Sequence, residues 1–415
     1  MSGRKLLFIG LNYRPEPIGI GPYTAGLAEE LAARGHTVEA VVGQPYYPQW
    51  RMYDGYGGWD TREEHGVTVH RCTHYVPKKP SGGRRIAHHM SFAMSLLRPA
   101  LDAARRLQPD CVVGIAPSLV SIQAAQRAAG RAGAPLWVHL QDFEVEAAFA
   151  TGMLGDGGAV GGAARAYEAR RFRKADLVST ISPQMVARLV EKGVPAERVV
   201  EIRNWANHAA AIAAADGARP REVWGVGRRK LVLYSGNIGA KQGLDIVIEA
   251  ARLLKSRKDL VFAICGNGPN RAALEESASD LDNLVFADLA DEAHVGAVLK
   301  AADIHLLPQL AGAADLVLPS KLANMLASGR PVIATAEKGT GLAQEVEGCG
   351  MVIPPEDAGL LAGAIAQLAG DDALASRLGK AAEQRAANSW SRKSVVDSFE
   401  AQLERLIGWS SQPIR

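Results

Sequence analysis

Short apolar runs alternate with longer amphipathic stretches along most of this chain, and the alternation halts once before restarting. The apolar runs predict strands at Lys5–Leu11, Thr37–Val42, Val67–Cys72, Cys111–Ile115, Leu136–Leu140 and Leu177–Ile181. They predict a second set at Leu231–Ser235, Leu260–Cys265, Leu284–Phe286, Ile304–Leu307 and Val332–Thr335. Helical periodicity fills the gaps. The clearest helix begins near Pro22, repeats Tyr23, Leu27 and Leu31 every fourth residue, and stops at Gly35. Uniformly apolar strands separated by helices make parallel sheets covered on both faces.

The break follows Asn204, where AAAIAAADGARPREVWGVGRRK reads as an interdomain linker with a docking helix. For 415 residues, two domains are the natural division. The expected bounds are 1–205 and 206–391. A final helical stretch from about Asp372 to Ile407, broken near Trp390, is expected to bring residues 392–415 back onto the first domain.

Composition excludes several classes. A net charge of +3 does not point to nucleic acid as a partner. Arg4 and Lys5 precede an apolar run, but it ends at Asn12 and Arg14, too short for a secretory signal. No run approaches the ~18 apolar residues of a spanning helix. The expected location is the cytoplasm or the inner face of the plasma membrane. Cys72, Cys111, Cys265 and Cys349 lie far apart, without metal-binding spacing, and read as buried thiols.

In doubly wound sheets, ligands sit beyond the carboxyl ends of the strands. Two Rossmann-like domains facing across a cleft would therefore put the site in that cleft. A nicotinamide enzyme is disfavoured. Neither the Gly19-Ile-Gly21 segment nor Gly266-Asn-Gly268 completes a dinucleotide fingerprint, and the second strand lacks a terminal acid.

Pro319-Ser320-Lys321-Leu-Ala-Asn324 is sharper. Ser320 is placed to cap a helix ended by Gly329 and Pro331, with Leu322, Met325 and Leu326 inward and Lys321, Asn324 and Ser328 on another face. A lysine in a first helical turn opposes the helix dipole, so it suits an anion site better than a solvent-facing edge. Ser235-Gly236-Asn237-Ile-Gly239-Ala-Lys241 repeats the pattern of strand, glycine loop, lysine and helix start. Two such lysines could clamp a pyrophosphate.

With these segments in place, the chain resembles the retaining GT-B glycosyltransferases of family 4, and within them the colanic-acid fucosyltransferase-like group of exopolysaccharide enzymes. The carrying segments are Pro15–Thr24, Leu27–His36, Leu140–Val145, Arg203–Trp205, Ser235–Gly239, Gly266–Pro269, Ala302–Gln309 and Leu318–Lys321. The resemblance implies transfer of a hexosyl or deoxyhexosyl group from a nucleoside diphosphate sugar to a polyprenyl-pyrophosphate-linked glycan. It implies no metal, no other cofactor and no dedicated nucleophile.

It makes Lys241 a contact of the donor pyrophosphate and gives the helix after Pro319 the nucleotide phosphate and ribose. With Lys321 from the anion reading, the expected catalytic cations are Lys241 and Lys321. Gly236, Asn237, Gly266, Ser320 and Asn324 are expected at the donor, with Gly19 and Gly21 approaching the donor phosphates or the acceptor. Asp142 would stabilise the transition state or orient the acceptor, with Glu144 at the acceptor. His139 reads as a core residue. The chain departs from the family's paired glutamates at Leu316 and Asn324, beside Asp315, and has Asn237 for the usual arginine. Two rival readings follow: a catalytically weakened subunit that binds a partner or a lipid-linked sugar, and a same-fold nucleotide-sugar epimerase. Nucleotide release by the purified chain argues against the first. An epimerised free donor would identify the second.

Residues 78–106 hold Lys78, Lys79, Arg84, Arg85, Arg98, Arg105 and Arg106 against Asp102 alone. Ile86, Met90, Met94, Leu97 and Leu101 recur at helical spacing. The stretch suits either a basic amphipathic helix on anionic lipid or a core helix with a basic edge. Pro99 is expected to end or kink it.

Overall fold

A computed structural model describes residues 3–116, 118–143, 145–146, 159–311 and 318–410. They form two compact units, Met1–Ile202 with Val396–Arg415, and Arg203–Val395. Every strand expected from an apolar run is present, within one residue at each end.

The first unit holds β1 (Lys5–Gly10), β2 (Thr37–Gly43), β3 (Asp60–Glu64), β4 (Val67–Cys72), β5 (Cys111–Ala116), β6 (Leu136–Leu140), β7 (Leu177–Thr180) and β8 (Val199–Glu201). Their order is β3-β4-β2-β1-β5-β6-β7-β8, and only β3 runs antiparallel. Sequence reading missed β3 because Asp-Thr-Arg-Glu-Glu has no apolar face; it is a charged edge strand, the kind that discourages further pairing.

Leu6, Leu7, Phe8 and Ile9 are fully buried because helices cover both faces of β1. One covering layer comes from the far end of the chain. Phe399, on the last helix (Arg392–Ser410), stacks on Trp137 at 4.1 Å and lies 6.4 Å from Phe8. Ion pairs from Arg4 to Glu404 (2.5 Å) and from Arg34 to Glu400 (2.6 Å) border that contact.

The second unit holds β9 (Lys230–Ser235), β10 (Leu260–Cys265), β11 (Leu284–Ala287), β12 (Ile304–Leu307), β13 (Val332–Thr335) and β14 (Gly350–Ile353), all parallel, in the order β11-β10-β9-β12-β13-β14. The stretch after Asn204 is not a free linker. Its helices Ala209–Ala214 and Ala218–Val223 belong to this unit, and the first packs on Val295–Ala301. Ile212 is buried there, and a Cβ on Gly296 would come within 2.4 Å of the Ala211 carbonyl oxygen. The C-terminal helical region does break at Trp390, between Asp372–Ser389 and Arg392–Ser410. All four cysteines are buried and unpaired.

Candidate functional site

Each sheet has one point where successive connections leave in opposite directions. In the first it lies between β1 and β5, in the second between β9 and β12. Loops diverge there and leave a crevice past the strand ends. The glycine-rich segments sit at these two points.

In the second unit the Ser235–Gln242 loop leaves β9, and the helix Ser320–Ala327 follows β12. The Lys321 Nζ donates to the Tyr234 hydroxyl at 2.9 Å and lies 4.3 Å from the centre of that ring. The Tyr234 hydroxyl in turn donates to the Asn237 carbonyl. Burial pushes the lysine down from 10.5 to about 8. Gly236 makes room for it: φ is +148°, and a Cβ there would come within 2.7 Å of Nζ. Lys321 is thus no solvent-facing lysine, but a cation held against the glycine loop.

The β10 loop supports that loop from beside it. Gly236 N–H donates to the Cys265 carbonyl and Ile238 N–H to the Asn267 carbonyl, both at 2.9 Å. A Cβ on Gly266 would lie 1.9 Å from the Gly236 carbonyl oxygen, and one on Gly268 2.1 Å from that of Ile238. These glycines are required for two backbones to touch. Lys241 sits further along the same loop, in the turn Ala240–Gln242. It is exposed and makes no ion pair among the described residues. Asn237 is exposed at the loop's tip.

Two expectations for the Ser320 helix need correction. Ser320 is its first residue, not its cap. Pro319 holds the capping position and offers no side-chain bond. The face carrying Lys321, Asn324 and Ser328 is not an open ligand face. Asn324 accepts from His208 N–H at 3.1 Å and donates to Asn207 Oδ1 at 2.9 Å, and Ser328 meets His305 Nε2 at 3.0 Å. Only Lys321 turns toward the β9 loop.

In the first unit, Gly19 lies in the loop after β1 with φ +76°, against the Tyr47 ring, and Gly21 begins the helix Gly21–Ala33. A residue the sequence did not single out anchors this loop. Glu16 is 2% exposed; its carboxylate accepts from the Tyr46 and Tyr47 amides at 3.0 Å and from Asn12 Nδ2 at 2.9 Å. Desolvation raises its pKa despite those bonds.

Asp142, just past β6, is exposed, with Oδ1 accepting from the Phe143 amide at 2.8 Å. His139 is a core residue: Nδ1 meets Ser179 Oγ and Nε2 meets Gln141 Nε2, both at 2.8 Å. Ser179 already accepts from Trp137 Nε1, and the Gln141 amide donates, which assigns the His139 proton to Nδ1. Burial holds it neutral, down to about 4. Glu144, Asp315 and Leu316 lie outside the described residues. A cavity of about 290 Å³ lined by Lys230, Asp303, Arg330 and Asp372 lies at the opposite, amino-terminal ends of β9, β12 and β13, away from these loops.

Two α/β units with glycine loops at both switch points have the architecture of the GT-B fold, that of a family of glycosyltransferases. The chain belongs to this family: residues 19–205 match the glycosyl transferase 4-like domain and residues 229–371 the glycosyl transferases group 1 domain. It is 42% identical, over 88% of its length and 91% of the relative's, to WcaI of Escherichia coli K12, a candidate colanic acid biosynthesis glycosyl transferase. Among solved structures, Anabaena Alr3699/HepE in complex with UDP shares the fold with a TM-score of 0.68 at 17% identity, covering 97% of this chain and all of that one. WaaG, a glycosyltransferase of lipopolysaccharide biosynthesis, does so with 0.62 at 18%, covering 95% and 99%.

Proposed function

We propose that the protein transfers a hexosyl or deoxyhexosyl group, with retention, from a nucleoside diphosphate sugar to a lipid-linked oligosaccharide of exopolysaccharide synthesis, at the cytoplasmic face of the membrane. The observation that carries this reading is the Lys321 ammonium, largely withdrawn from water and held against the Gly236 loop at the β9/β12 switch point. A dry cation with only a neutral partner gains most when an anion arrives. The same charge then meets the negative charge that develops as the bond from the sugar's anomeric carbon to the diphosphate breaks.

Lys241 supplies a second cation from the solvent side of the same loop, so the reading calls for no metal or other cofactor. The acceptor oxygen bonds the anomeric carbon as the diphosphate leaves, and its proton passes to a departing phosphate oxygen. Asp142, exposed just past β6, is assigned to orient that acceptor. The HepE complexes with UDP and with UDP-glucose support the donor class, and the description of WcaI supports the acceptor's setting.

The test is nucleotide release from UDP- and GDP-sugars by the purified chain, with Lys241→Ala and Lys321→Ala beside it. Unchanged turnover in both variants would defeat the clamp. Asn324 favours a second reading, a binding subunit without turnover, because its amide is already engaged by Asn207 and His208. Nucleotide release from any donor would remove it.

A further inference from the structure

The helix Gly82–Leu107 runs unbroken through Pro99, for a length of about 39 Å. Of the two readings the sequence left open, its core face lies off the line of Ile86, Met90 and Met94. His88, Phe92, Leu96, Ala100, Ala103, Ala104 and Leu107 are buried, and the helix packs on β2, β4 and the helix Leu119–Ala132. Ile86, Met90 and Met94 fall on the other side, 57%, 44% and 71% exposed. Leu101, half-buried, borders that line, while Leu97 packs against the core. An outward helix face normally carries charge, and a contiguous apolar line there marks a contact surface.

The charges are drawn to one flank of this line and to its approach. Lys78, Lys79, Arg84 and Arg105 are exposed and make no ion pair among the described residues. Arg98 reaches Asp102 only at 3.8 Å. The other two cations are engaged: Arg85 lies over the Trp50 ring at 5.3 Å, and Arg106, itself exposed, pairs with Glu39 at 2.6 Å. A chain of net charge +3 thus concentrates free cations beside an exposed apolar line.

We propose that this helix docks flat on an anionic bilayer, with Ile86, Met90 and Met94 entering the headgroup boundary and Lys78, Lys79, Arg84, Arg98 and Arg105 meeting lipid phosphates. Charge complementarity selects the occupant. A second copy of the chain would bring like charges together, and a nucleic acid would leave the apolar line without a partner. Among the described residues no helix is long and apolar enough to cross a membrane, so the contact is interfacial.

The test is flotation of the full chain with vesicles of phosphatidylcholine alone or with roughly one-third phosphatidylglycerol, at low and high salt. Binding is expected on the anionic vesicles only and weakens with salt. Met90→Glu/Met94→Glu and Arg84→Glu/Arg98→Glu are each expected to reduce it at least about tenfold, with the melting temperature unchanged. Equal binding to neutral vesicles, unaltered binding by the folded variants, or a self-associated species dissolved by Met90→Glu/Met94→Glu would each overturn the proposal. It stands on the helix alone. The variants keep the parental affinity for UDP and GDP, so its failure is distinguishable from failure of the donor reading.

Discussion

The Lys321 ammonium stands 4.3 Å above the Tyr234 ring while bonding the hydroxyl of the same side chain at 2.9 Å. One tyrosine thus fixes both the height and the direction of the cation. Tyr234→Phe keeps the ring and removes the anchor, leaving the Asn237 carbonyl without its donor. We expect a stability loss of about 1–3 kcal/mol and a several-fold weaker affinity for UDP or GDP, read by calorimetric titration. Lys321→Met, which removes the charge, is expected to weaken nucleotide binding by roughly 10- to 100-fold, as for a lost charge-assisted bond.

Burial of Lys321 also sets a pH dependence. Its pKa falls from an ordinary 10.5 to about 8. Between those values the unfolded chain holds a proton that the folded chain has released, so this residue adds stability as pH rises from about 8 to 10.5. Nucleotide affinity runs the other way, because the binding form is the cation, and should decline as pH passes about 8. Titrations and melting curves across this range check both slopes, and Lys321→Met should flatten both.

Gly266→Ala and Gly268→Ala place a methyl group within 1.9 Å and 2.1 Å of backbone oxygens in the β9 loop. The two loops must separate. Each change is expected to cost about 1–3 kcal/mol of stability, with nucleotide affinity falling alongside, as displaced Gly236 no longer faces Lys321. Chemical denaturation with paired binding assays tests the coupling.

Acid should weaken the fold through its buried imidazoles. Burial holds His88 and His305 down at about 3, and His89 and His139 at about 4. Below the ordinary 6.5 the unfolded chain takes up protons that these folded side chains refuse. Their contribution is complete above 6.5 and is lost progressively as pH falls toward 4. His88→Phe should reduce the slope of melting temperature against pH over that interval.

Sequence periodicity located the sheets because uniformly apolar strands can lie only inside a doubly covered layer. It failed where position depends on neighbours. The β3 segment, Asp60–Glu64, has no apolar pattern and forms by pairing with β4. For the line of Ile86, Met90 and Met94 periodicity left two readings, outward or core, since period alone cannot say which of two apolar lines meets the core; the structure places it outward. The pattern of Lys321 and the Gly236 loop was legible from residue types and order. Their contact through Tyr234, and the engagement of Asn324 by Asn207 and His208, required residues distant in sequence to be brought together. Glu16 was hidden because a buried carboxylate satisfied by backbone amides leaves no spacing signature.

Phe399 covers Trp137 and Phe8 from the last helix of the chain. The unit synthesised first is therefore finished last. While the ribosome is making residues 203–395, those rings have no lid, and the nascent first sheet carries an open apolar seam. A chain cut short at Trp390 would leave that seam open permanently, so a lesion at the carboxyl end should show itself as misfolding at the amino end.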